Sequence, residues 1–150
     1  MTSLIPTLRN HPIFRAFNKQ HLQIIAKSAV KQSYAEDEVV FQEGEPAEKF
    51  FLIDEGKVSI EIGSSGLHPV SIQTLRKGEV IGWSWLIPPH YWRFTVRSKM
   101  DSVLYAFDGK KLRTVCENNA EFGYALMKAF AQILAIRLET TRLQVEHAVD

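Results

Sequence analysis

The chain has 150 residues, 45% hydrophobic and 23% charged, the profile of an ordinary globular domain long enough to bury a core. Its 18 Lys and Arg nearly balance its 17 Asp and Glu, which excludes a global field that would draw in nucleic acid or an anionic membrane. One cysteine, Cys116, excludes a disulfide framework; with no signal-like apolar core in residues 1–10 and no apolar run of spanning length, a cytoplasmic protein is expected.

Taken in chain order, residues 12–29 read as short helices. Pro12–Phe17 makes a compact apolar turn, and Asn18 is placed to cap a helix from Lys19 to Ala29. Leu22, Ile25, Ala26 and Ala29 share one face of that helix, the pattern of a packing element with no chemistry. From Val30 to Asp108 the pattern shortens. Residues 39–41, 50–53, 58–62, 70–75, 94–97 and 103–107 are β-rich, and several alternate apolar with polar. Gly44, Gly56, Gly63, Gly66, Gly78 and Gly82 punctuate them, which predicts a closed or double-sheet antiparallel β structure.

Helical patterning returns after Asp108. Asp108 is placed to cap a helix over Lys110–Glu117, and Asn118 or Asn119 to cap a longer one from Ala120 to about Glu146. Phe122, Leu126, Ala129, Ile133, Ile136, Thr140 and Leu143 alternate four- and three-residue steps, the spacing of a packing seam. Tyr124, Met127, Phe130, Ala131, Leu134 and Leu138 add apolar surface beside it. One face can cover the β core. A second needs another cover, most simply the same helix of a second subunit, so a homodimer through this helix is expected.

The segment from Gly78 to Arg97 carries the functional signal. A glycine turn, a short helical stretch and a strand bearing arginine suit a small anion. Yet Trp83, Trp85 and Trp92, all the tryptophans of the chain, fall inside it.

Several stretches resemble the cyclic-nucleotide-binding domain family. The run Val39-Val40-Phe41-Gln42-Glu43-Gly44-Glu45-Pro46-Ala47, followed by Phe51-Leu52-Ile53-Asp54-Glu55-Gly56-Lys57-Val58, is similar to the family's first strands. Leu75-Arg76-Lys77-Gly78-Glu79-Val80-Ile81-Gly82 resembles the lead into its phosphate-binding cassette. Arg137-Leu138 and Thr141 resemble the Arg-Leu-x-x-Thr stretch near the dimer helix of catabolite-activator-like proteins.

The resemblance implies a mainly β fold: a jelly-roll-type β-roll over 30–108, short N-terminal helices over 12–29 and C-terminal helices over 109–147, in a single domain of residues 1–150. It implies no resident cofactor, cAMP or cGMP or another small anion as ligand, and a further protein as downstream partner. No winged helix follows the dimer helix within these residues, so DNA binding is not expected. In the cassette, Gly82 and Ser84 would offer donors to a phosphate. Trp83 stands where the family has a glutamate, and an indole N–H cannot accept a ribose hydroxyl.

The phosphate arginine falls at Trp92, with Arg93 one residue later. If Trp92, Phe94 and Val96 face inward, then Arg93, Thr95 and Arg97 face outward. A bulge near Tyr91 would instead return Arg93 to the pocket. The tryptophans either stack on a flat ligand or fill its place. Arg137 and Thr141, four apart on one helix face, either close over the ligand or belong to a solvated seam.

The fold class also houses metal enzymes, but His11, His21, His68, His90 and His147 are scattered without ligand spacing. Cys116 reads as a structural thiol, and no nucleophile–base motif has a recognisable setting. A non-enzymatic ligand sensor is expected, with a ligand-free dimeric interaction module as the alternative.

Overall fold

The computed structural model describes residues 4–63 and 69–149, with side chains as far as residue 143. Gly66, His68 and the side chain of His147 lie outside the described residues. The elements run α1 (Ile5–Asn10), α2 (Lys19–Lys27), β1 (Ala29–Tyr34), β2 (Val39–Phe41), β3 (Lys49–Glu55), β4 (Lys57–Ile62), β5 (Val70–Arg76), β6 (Val80–Ile81), β7 (Thr95–Ser98), β8 (Ser102–Asp108), α3 (Gly109–Asn118) and α4 (Ala120–Val149). They group into two compact units: a β unit of Lys27–Arg113, and a helical unit made of the chain on either side of it.

In the β unit, two antiparallel sheets of four strands have the orders β1-β8-β3-β6 and β2-β7-β4-β5. The expected β-rich segments all become strands. β3 and β4 each bury four consecutive residues, Phe50–Ile53 and Val58–Glu61, so both of their faces are covered rather than one. That coverage places the polar Ser59 and Glu61 in the interior beside Val58 and Ile60.

One boundary differs from the sequence expectation. The first long helix stops at Lys27, not Ala29, because Ala29 opens a six-residue ladder with β8. Its register runs from Ala29↔Phe107 to Tyr34↔Ser102. The Asp108 N–H donates to Ser28 O at 3.1 Å, extending that pairing up to the helix end. Long-range ladder partners outcompete one more helical turn here.

In the helical unit the caps form as the side chains dictate. Asn18 Oδ1 accepts from the His21 N–H at 2.8 Å, and Asn119 Oδ1 from the Phe122 N–H at 3.1 Å. On the β unit's side of α3, Asp108 Oδ1 accepts from the Lys111 N–H at 3.0 Å. Phe14, Phe17, Leu22 and Ile25 are buried with Phe122 of α4. The His21 ring meets the Phe122 ring edge-on at 5.2 Å, as a core aromatic does. Along α4 the seam splits: Phe122, Leu126, Ala129 and Ile133 are buried, whereas Ile136 and Leu143 are exposed.

Candidate functional site

The three tryptophans of the Gly78–Arg97 segment have three different surroundings. Trp85 is fully buried. Its ring stacks on Phe50 at 5.1 Å, and Phe50 stacks in turn on Phe107 at 4.4 Å. Gly109 makes room for it, since a Cβ there would come within 2.8 Å of Trp85 Cε3. Trp85 therefore anchors the segment to β3 and β8. Arg113 reinforces the anchor: its Nη1 donates to Trp85 O and, at 3.3 Å, to Ala47 O. Sequence reading missed Arg113, whose partners lie 28 and 66 residues away in sequence.

Trp92, at the position aligned with the family's phosphate arginine, is 5% exposed and stacks on Phe41 with centroids 3.6 Å apart and planes 14° from parallel. Its backbone is held by antiparallel pairing. Gly44 N–H donates to Trp92 O at 2.8 Å, Trp92 N–H to Glu45 O at 2.9 Å, and Ala47 N–H to His90 O at 2.8 Å. The indole edge closes on Gly82, which has φ +96°; a Cβ there would stand 2.9 Å from Trp92 Cη2. So the glycine offered for a phosphate instead packs against an aromatic ring.

The helical stretch expected after Gly82 is only a turn, in which the Leu86 N–H donates to Trp83 O at 3.0 Å. Pro88 and Pro89 follow at once, and proline has no N–H to extend a helix. The array of parallel N–H groups at a helix start is thus reduced. Ser84 is buried, and its Oγ has no hydrogen-bond partner among the described residues. Trp83 is half-buried, with the Arg93 guanidinium 5.6 Å above its ring. Arg93 itself is exposed: the chain bends at Arg93 and Phe94, but the bend does not bury Arg93.

Strict alternation fails one residue further on. Thr95, expected to face outward, is 1% exposed, and its Oγ1 accepts from the Glu43 N–H at 3.0 Å. Arg97 is half-buried, with its Nε 3.2 Å from Glu61 Oε1 and its Nη1 donating to Asp37 O at 2.9 Å. The flanks of β2, the ladder neighbour of β7, reach both side chains through Glu43 N–H and Asp37 O, and so give this part of β7 a polar, partly buried cover. This cover comes from over fifty residues upstream, so strand periodicity carries no sign of it.

Gly82, Trp83, Ser84, Trp92, Arg93 and Thr95 all belong to the β unit, whereas Arg137 and Thr141 lie on α4 in the helical unit. Thr141 Oγ1 donates to Arg137 O at 3.0 Å, a bond within its own helix. Neighbouring Arg142 pairs with Glu139.

Among the described residues, no group of His, Cys, Asp or Glu could hold a metal ion, and no helix is long and apolar enough to cross a membrane. Burial, followed by Glu117, pushes the Cys116 thiol up, which keeps it protonated and a poor nucleophile.

The cyclic nucleotide-binding domain model matches residues 31–119. A comparison with curated protein sequences found no match. Among solved structures, a protein from Geobacter metallireducens GS-15 described as cyclic nucleotide-binding is 27% identical. The alignment has a TM-score of 0.83 and covers 92% of this chain and 99% of that one. A cyclic nucleotide-binding domain from Methylobacillus flagellatus KT shares the fold at 14% identity and TM-score 0.80, over 97% of this chain and 82% of that one. So does a mutant regulatory subunit of a cAMP-independent protein kinase A from Trypanosoma brucei bound to cAMP, at 18% identity and TM-score 0.64, over 71% of this chain and 39% of that one. With a family model matching residues 31–119, more than half of the chain, the chain belongs to the cyclic nucleotide-binding domain family.

Proposed function

We propose that this chain is a non-catalytic regulatory domain whose nucleotide position is filled by its own Trp92–Phe41 stack, so that neither cAMP nor cGMP gates it. The stack at 3.6 Å, closed against Gly82, is the observation that carries this reading. Evicting a buried tryptophan costs about 3–5 kcal/mol, the scale of Trp→Ala in a core. A nucleotide that had to do so would lose roughly a hundredfold to a few thousandfold in affinity. The ribose partner is gone as well, because Trp83 has no acceptor to offer.

Output would pass through a homodimer built on α4, whose Tyr124, Met127, Ile136 and Leu138 are exposed. A further protein would read that dimer. Cytoplasmic placement and the absence of DNA and membrane partners belong to the same proposal.

A second reading has its own support. The exposed Arg93 above Trp83, with the buried Ser84 hydroxyl nearby in the same turn, offers a charge and a flat ring to a small anion. Thermal unfolding with cyclic mononucleotides, cyclic dinucleotides and simple phosphates separates the two. A ligand at a hundred times its dissociation constant adds about 2.7 kcal/mol, several degrees for a chain of this length. The filled-pocket reading expects no shift with any of them. A shift abolished by Arg93→Ala would establish the anion reading instead.

A further inference from the structure

Evidence for another ligand site lies beside the aromatic stack, in a groove whose lining includes Phe41 and Trp92 but not Gly82. The groove, of about 340 Å³, opens in the β unit between strands β1 and β2. Both are edge strands of their sheets. The volume is at the lower end of the range for small-molecule sites, about 300–1,000 Å³. Its floor is Phe41, Phe51 and Trp92, all buried, with Phe41 stacked on Trp92 and, at 5.8 Å, on Phe51. Because the rings are spent on one another, the floor offers apolar surface rather than open faces for a cation.

The rim is polar and carries both signs of charge. Tyr34 Oη donates to Gln32 Oε1 at 2.7 Å, which leaves the Gln32 amide N–H groups and the Tyr34 oxygen lone pairs for a ligand. Glu45, Glu48 and Lys49 line the same groove: Glu45 Oε1 accepts from the Gln42 N–H at 3.1 Å, whereas the Glu48 and Lys49 side chains have no ion-pair partner among the described residues. An apolar floor under the Glu48 carboxylate and the Lys49 ammonium, with the Glu45 carboxylate beside them held by the Gln42 N–H, is complementary to a zwitterion with an apolar tail. A ligand with only an ammonium would forgo Lys49, and one with only a carboxylate would also meet repulsion from both glutamates.

We infer that this groove binds a small zwitterion of the α-amino acid class, its apolar side chain on the Phe41–Phe51–Trp92 floor and its ammonium and carboxylate at Glu48 and Lys49. The inference rests on the proposed filling of the nucleotide position, because the same stack supplies the floor. It gives the regulatory domain an input other than a cyclic nucleotide.

The test is a titration of the full chain with L-phenylalanine, L-tyrosine, L-leucine and L-methionine, read by tryptophan fluorescence and by unfolding temperature. Phenethylamine and 3-phenylpropanoate serve as single-charge analogues. At least one amino acid should change Trp92 emission and raise the unfolding temperature, with the single-charge analogues about tenfold weaker or more. Glu48→Gln and Lys49→Gln, both at exposed positions, should each weaken binding while leaving the fold intact. Silence toward all four amino acids at millimolar concentration overturns the inference, as does binding indifferent to both variants. Including cAMP and cGMP in the same plate keeps the two readings apart. A nucleotide response that survives Glu48→Gln and Lys49→Gln sinks the filled-pocket reading, whereas the amino-acid arms decide the groove.

Discussion

The centre of the β unit and the far half of α4 treat apolar side chains in opposite ways. Around Gly82 the chain buries two large rings, Trp92 and Phe41, stacked on each other and closed against the glycine; in the proposed reading they take the place of a nucleotide. Along α4 beyond Ile133 it leaves Ile136, Leu138 and Leu143 in solvent, Leu138 at 71% exposure. An ordinary surface tolerates single exposed apolar residues, but here Ile136 and Leu143 share one face of the helix, and Leu138 shares another with the exposed Tyr124 and Met127. The contrast sets a tightly packed aromatic centre in the β unit against apolar side chains left uncovered on the helix.

Trp92→Ala should break the closed region most severely. Removing the indole deletes the stack and leaves a cavity beside Phe41, at a cost of about 3–5 kcal/mol. Chemical denaturation should show the loss as a lower midpoint with an unchanged slope. Loss of less than about 1 kcal/mol would mean that the site collapses readily and that the ring is not a core element.

The polar cover of β7 should come next. Arg97→Ala leaves the carboxylate of Glu61, a residue 5% exposed, with only Ser59 Oγ at 3.4 Å among the described residues. An unsatisfied buried group costs about 1–3 kcal/mol, and the partial exposure of Arg97 argues for the lower half of that range. Glu61→Gln combined with Arg97→Ala should cost less than the sum of the two single changes, because the pair is a shared interaction. Strict additivity in the double-mutant cycle would show that the contact contributes nothing. Thr95→Val probes the same cover more gently, about 1 kcal/mol for the lost acceptor of the Glu43 N–H.

How much of this was open to sequence reading follows from distance along the chain. Caps at Asn18, Asp108 and Asn119 are decided within three residues, and each forms where the side chain type requires it. The half-buried strands carry their own period. β1 was missed because its residues, Ala-Val-Lys-Gln-Ser-Tyr, sit at a sheet edge and are half-buried at best, so no alternation marks them. β6 is only two residues long. Strand alternation offered the inward Trp92 and outward Arg93, but the separate surroundings of Trp83, Trp85 and Trp92 were not legible. Each depends on a remote surface: Gly109 for Trp85, Phe41 for Trp92, and for Trp83 the bend that leaves Arg93 outside.

On the open side, Leu138→Glu should leave monomer stability within about 0.5 kcal/mol, as surface substitutions do. If α4 pairs with its copy, the same change should shift the sedimenting species from dimer to monomer and make the unfolding temperature independent of protein concentration. A wild-type chain that sediments as a monomer at every concentration would remove the dimer and return the uncovered side chains to a heterologous partner.

The smallest effect belongs to Tyr34, which stands on the wall of the groove. Burial first, then the nearby Glu38 carboxylate, push its phenol above the ordinary value. An acid whose pKa is higher in the folded state binds its proton more tightly there, so its contribution to stability is fully present below the unfolded pKa. It is lost as pH rises through the higher folded value. Unfolding temperatures of wild type and Tyr34→Phe should therefore run parallel through neutral pH and diverge only on the alkaline limb, where the wild type falls more steeply. Everything else in the molecule is common to both proteins and cancels in the comparison. Parallel curves across the whole range would mean that Tyr34 is as solvated in the folded chain as in the unfolded one. The groove wall would then be open to water, and an amino acid side chain would gain little by entering it.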